Sequence, residues 1–195
     1  SVMGANVRKH AHGEEVAMVS YLGYDAPQNV VEVASIKKAN AGAKQLAGFF
    51  NGMHASREYG AGDAHVTAVT HSYGSTTGGK ALTMIDEGAV DDLIQFGSPG
   101  SGVQDVSELK IPKGHAWVSA TTRWQDMVQG IGDDGRFGKN PAKMPGYNHL
   151  SGDVGHGKGW FVPFRKHSSY FNEGSEALDD ISKVVAGRGV PRSTR

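Results

Sequence analysis

Cysteine is absent from the 195 residues. That excludes a disulfide framework, a thiolate metal site and a thiol nucleophile, and it leaves the cellular compartment open. Net charge is absent too: 20 Lys and Arg balance 20 Asp and Glu, and no Lys/Arg run occurs. A nucleic-acid binder needs a basic surface to displace counterions, so nucleic acid is not expected as a partner. No stretch approaches the roughly 20 apolar residues of a membrane span. Ser1 is not followed by the basic-then-apolar pattern of a signal peptide. The chain therefore reads as soluble, with its address open between the cytoplasm and secretion as part of a longer precursor. Internal repeats and a Gly-X-Y period are also missing.

What is present suits one folded domain over residues 1–195, with 188–195 as a frayed tail. Hydrophobic residues make up 38% and charged residues 21%, enough for a buried core. Glycine is abundant, 28 residues, about twice the usual ~7% share. Many glycines close apolar runs (Gly23, Gly74, Gly88, Gly97, Gly114), as turn punctuation does.

The apolar run Val16–Leu22, ending at Gly23, predicts a buried strand. From about Asn29 to Met53, Ala39, Ala43, Leu46, Ala47, Phe50 and Met53 recur at helical spacing. Val66–Thr70 predicts a strand that gives way at His71-Ser72-Tyr73-Gly74 to a helix through Ala81, Leu82, Met84 and Ile85. Two more strands are predicted at Leu93–Phe96 and Ala116–Ala120. Periodicity then vanishes between about Gly130 and Pro163, as expected of a lid or binding loop. The last helix is capped by Ser175, carries Leu178, Ile181, Val184 and Val185 on one face, and stops at Gly187. Strands separated by helical connections imply an α/β fold with parallel pairing.

Thr70-His71-Ser72-Tyr73-Gly74 carries the chemistry. A serine hydroxyl is a poor nucleophile, and hydrolases place it on a strained strand-to-helix turn where the following backbone N–H faces the oxyanion. The common form is G-x-S-x-G; here Gly74 is present and Thr70 replaces the first glycine. A nucleophile of this kind needs an acid and then a histidine further along the chain. Asp126, beyond the Ala116 strand, and His167, before the last helix, occur in that order, with Asp133, Asp134 and Asp153 as competing acids. The plain alternative is a structural turn at Ser72, a loop carboxylate at Asp126 and a solvated histidine at His167.

Four ordered motifs, Tyr21-Leu22-Gly23-Tyr24-Asp25-Ala26-Pro27, Thr70–Ser75, Phe96-Gly97-Ser98-Pro99-Gly100 and His167-Ser168-Ser169-Tyr170-Phe171, resemble an actinobacterial family of α/β-hydrolase-fold proteins known as DUF1023. The similarity spans roughly residues 16–187. It implies an α/β-hydrolase fold, a mainly parallel sheet flanked by helices, with Ser72 as nucleophile, Asp126 as acid, His167 as base and the Tyr73 N–H as oxyanion donor. Thr70, His71 and Gly74 form the elbow. Relatives carry a glycine at the position of Thr70 and a Pro-Gly-Thr-Gly-like turn on a preceding oxyanion-loop strand, which this sequence does not contain. Residues Ser1–Gly13 resemble the helix after that turn, so the sequence resembles the carboxyl-terminal portion of a longer domain.

The resulting expectation is a serine hydrolase of small-molecule ester or lipid-like substrates, with no cofactor. The rival is a non-catalytic hydrolase-like scaffold or a processed assembly component, since fold does not establish function. An upstream segment or a second chain is expected to cover the Val16–Leu22 edge; the competing expectation is that Ser1–Gly13 folds back over it. No metal site is expected, although His10, His12, His149 and His156 raise the question, because their spacing fits no standard site. Trp117 is expected in the core, Trp124 and Trp160 equally in core or cleft, and Gly78-Gly79 at a close helix–sheet contact rather than in a phosphate loop.

Overall fold

A computed structural model describes residues 2–21, 34–60, 62, 64–119, 136–151 and 176–187. Among these residues four strands form one sheet in the order β1 (Thr67–His71), β2 (Asp92–Phe96), β3 (Ala116–Ser119), β4 (Asn148–His149), all parallel. Helices α1 (Val2–His10), α2 (Ala34–Glu58), α3 (Tyr73–Leu82) and α4 (Glu176–Val185) flank it.

The period of two along each strand sorts the core into two layers. Ala68, Leu93, Ala116 and Val118 join α2 and α3 through Ala43, Leu46, Ala47, Phe50, Ala81 and Leu82. Ile94 and Phe96, from the alternate positions, join α1 and α4 through Met3, Val7, Leu178 and Ile181. β2 is buried at every position because it lies between two strands and two helical layers. The helices follow their apolar spacing. In α2 the buried residues Ala39, Ala43, Leu46, Ala47 and Phe50 recur at three- and four-residue steps. Helix α4 ends where Gly187 takes φ 68°, a left-handed conformation suited to glycine.

The structure corrects the first predicted strand. Val16–Tyr21 forms no ladder, and Met18 and Val19 are 43% and 64% exposed. Apolar composition alone does not make a strand, which needs a neighbouring strand to pair with; Val16–Tyr21 takes no place in the sheet, although Val16 and Tyr21 pack against the core. Leu22 and the first predicted residues of α2, Asn29–Val33, lie outside the described residues. Helix α3 starts within the predicted turn, at Tyr73, but ends earlier than predicted: Thr83 caps it, and Met84 and Ile85 lie beyond. Among its described residues the irregular region contains a short strand, β4, that composition alone does not reveal.

At the sheet's end, Val66 O accepts from the Asp91 and Asp92 N–H groups, and the Ser72 N–H donates to Phe96 O. Even-numbered positions of β1 therefore face β2, and Thr67 and Val69 turn their main-chain groups the other way. No described strand lies on that side. Among the described residues β1 is thus an edge strand of the sheet. Helix α1 does not fold along it; Met3 and Val7 pack on the sheet face with α4.

Candidate active site

In a parallel sheet every strand ends on the same side, and Ser72 stands there, between the last residue of β1 and the first of α3. Its backbone has φ 56° and ψ −133°, a conformation rare for a residue with a side chain. Holding such a residue costs on the order of 1–3 kcal/mol and persists only where the surroundings over-determine it. Here they do. The Ser72 N–H is held by Phe96 O at 3.1 Å, and Ser72 O accepts from Ser75 N–H at 2.9 Å. The Ser72 side chain makes no capping bond to α3. Thr70 in place of the usual glycine leaves this turn intact.

The neighbours of Ser72 are held by ring contacts. His71 stacks on Phe96 with centroids 4.7 Å apart. Tyr73 meets Phe137 edge-on at 5.8 Å, and burial raises the Tyr73 phenol above its ordinary pKa. Phe137 reaches this place because residues 137–139 run beside 101–103. Gly102 N–H donates to Phe137 O at 2.8 Å, Ser101 N–H to Lys139 O and Lys139 N–H to Val103 O, both at 2.9 Å. The glycines of Phe96-Gly97-Ser98-Pro99-Gly100 then acquire a reason. Gly97 has φ 54°, and a Cβ on Gly100 would collide with the backbone and Cβ of Phe137.

Below the turn lies a buried polar network that sequence reading missed. Gln95, fully buried in β2, donates from Nε2 to Ser75 O at 2.8 Å and to Ser101 O at 3.1 Å, and accepts from the Tyr147 hydroxyl at 2.8 Å. Thr76 Oγ1 donates to Gly100 O at 2.9 Å. The first turn of α3 is thus tied to the loop after β2. A glutamine inside the apolar strand run Leu93–Phe96 is the signal that could have found it, since a buried amide needs partners.

Gly78 and Gly79 mark a close approach, as their pairing predicted. A Cβ on Gly78 would meet the Thr70 side chain, and one on Gly79 would overlap Ser101 O. Trp117 is half-buried, packs with Ile94 and Phe96, and donates from Nε1 to Asp92 Oδ1 at 2.8 Å. Asp92 also accepts from His115 Nδ1 at 2.9 Å and faces His65 Nε2 at 2.8 Å, at the end of the sheet opposite Ser72. His10 bonds Asp179 at 2.7 Å. Among the described residues no group of three or more His, Asp or Glu side chains is arranged to hold a metal ion. Asp126 and His167, the rival acids Asp133, Asp134 and Asp153, and His156, Trp124 and Trp160 lie outside the described residues.

A family model described as alpha/beta hydrolase matches residues 2–133, more than half of the chain. The chain belongs to the α/β-hydrolase family. The chain is 34% identical over 143 residues to an uncharacterized protein of Mycobacterium bovis and, equally, to one of Mycobacterium tuberculosis; the match covers 73% of this chain and 52% of each relative. A second M. tuberculosis protein, also uncharacterized, is 28% identical over 196 residues, covering 89% of this chain and 29% of its own length. The chain thus spans about half the length, or less, of these relatives. No solved structure matches it significantly.

Proposed function

We propose that this α/β hydrolase transfers an acyl group from an ester to water through Ser72. The observation that carries the reading is the strained strand-to-helix turn at Ser72, φ 56° and ψ −133°, at the carboxyl edge of the sheet. Strain of this kind is retained where a nucleophile must project from the sheet. In the proposed reaction His167 takes the Ser72 proton, Asp126 holds His167 in the productive tautomer, and the Tyr73 N–H, first in α3, binds the oxyanion. β3 and β4 run parallel to β1, so the chain leaves them toward Asp126 and His167 from the same edge that carries Ser72. Esters are favoured over amides because their leaving groups demand less protonation. Small-molecule or lipid-like esters are the substrate class, and the chemistry calls for no cofactor.

One observation favours the rival reading, a non-catalytic hydrolase-like scaffold. Among the described residues the side of β1 away from β2 carries no strand, and a second oxyanion donor belongs there. Loss of one such donor costs about 10²–10³ in rate in a protease where it was removed. An upstream segment or a second chain along Thr67 and Val69 would supply it.

An activated fluorophosphonate is expected to label the protein at Ser72. The Ser72→Ala variant is expected to lose the label and at least about 10³-fold of short-chain p-nitrophenyl ester hydrolysis. Hydrolysis that survives Ser72→Ala assigns the chemistry elsewhere. A folded wild type that neither labels nor hydrolyses favours the scaffold.

A further inference from the structure

Thr70 is where the turn departs from the glycine-flanked serine motif, and the room its side chain needs comes from the facing helix. A Cβ built on Gly78 would lie 2.5 Å from Thr70 Cγ2, but 3.5 Å from Thr70 Cβ and 3.8 Å from Oγ1. Only the methyl collides. Helix α3 lies this close to β1 because residue 78 has no side chain where residue 70 has a methyl. The Thr70 hydroxyl is also engaged: Oγ1 donates to Ile94 O at 3.1 Å and lies 3.4 Å from Ser75 Oγ. One side chain therefore touches β2, the first turn of α3 and the middle of α3, the elements that bracket Ser72.

We propose that Thr70 is a positioning residue for Ser72. Its methyl, keyed to Gly78, sets the separation of β1 and α3, and its hydroxyl ties the turn to β2. The missing glycine at the start of the motif is thus compensated by a glycine inside the helix. The proposal rests on the reading of Ser72 as nucleophile. A Cβ at position 78 would force strand and helix apart by about 1 Å, a displacement that at a reacting centre costs about 100-fold.

The test measures two quantities on the full chain: the second-order rate of fluorophosphonate labelling at Ser72, and amide hydrogen exchange of the Ser72 N–H, which bonds Phe96 O. Gly78→Ala is expected to slow labelling about 100-fold and to speed that exchange. Thr70→Ser combined with Gly78→Ala removes the colliding methyl and keeps the hydroxyl. It is expected to label within about threefold of Thr70→Ser alone and to regain slow exchange. Wild-type labelling in Gly78→Ala, or no recovery in the double variant, overturns the proposal. A wild type that fails to label refutes the nucleophile reading instead. The exchange measurements then decide the placement alone: recovery in the double variant supports it and additive losses overturn it. If Gly78→Ala does not fold, a folded double variant supports the proposal and an unfolded one overturns it.

Discussion

At the scale of single residues, Gln95 uses both ends of its amide to join three parts of the chain that sequence holds far apart: the start of α3, the loop after β2 and Tyr147. Burial raises the Tyr147 phenol, so it stays neutral and donates. Replacing Gln95 by Leu would leave Ser75 O, Ser101 O and the Tyr147 hydroxyl without this partner. Each buried group left unpaired costs about 1–3 kcal/mol, so Gln95→Leu is expected to lower stability by about 3 kcal/mol or more in urea unfolding. Adding Tyr147→Phe removes one of the stranded groups and is expected to return about 1 kcal/mol. A loss below about 1 kcal/mol in the single variant would mean that the network is not closed as described.

At the scale of elements, strand formation was decided by neighbours more than by composition. Val16–Tyr21 and Leu93–Phe96 are both apolar runs; the second lies between β1 and β3 and is buried, whereas the first has no ladder and is largely exposed. Val19→Asp is therefore expected to change stability by no more than about 0.5 kcal/mol, as for other exposed positions. A loss of about 2 kcal/mol or more in the same unfolding experiment would restore the buried strand. Helix α3 makes the opposite point. Its small residues would weaken an isolated helix, yet Gly78 and Gly79 are where Thr70 and Ser101 come closest. Proximity to the sheet and to the loop after β2 takes precedence over helix propensity there.

At the scale of the whole molecule, the two ends of the described chain are joined on one face of the sheet. Helices α1 and α4 share a core of Met3, Val7, Leu178 and Ile181, and Asp179 binds Lys183 and His10, each at 2.7 Å. The Lys183 hydrogen bond, with a smaller part from His10 and against partial burial, lowers the Asp179 carboxyl below its ordinary pKa. A lowered carboxylate contributes stability above its unfolded pKa and loses it as pH falls through the folded value. Asp179 is 45% exposed, so solvent screening keeps the contribution below about 1 kcal/mol. Asp179→Asn is expected to lower the unfolding temperature slightly at pH 7, with the difference shrinking as pH falls through and below the ordinary carboxylate range. A difference that stays undiminished down to pH 2 would trace the loss to packing instead of charge.

Sequence alone determined the fold class, because strand and helix periods alternate along the chain, and it determined the turn at Ser72, because His71-Ser72-Tyr73-Gly74 falls between a β-branched run and a small-residue helix. The last helix was equally legible in Leu178, Ile181 and Val184, whose spacing needs no tertiary partner to be recognised. Tertiary structure decided the rest. Whether Val16–Tyr21 pairs depends on an edge elsewhere, β4 is too short to carry a period, and the Thr70–Gly78 fit and the Gln95 network join residues distant in sequence. Periodicity records which face of an element is apolar; it carries no record of which distant backbone will approach that face, and packing settles that.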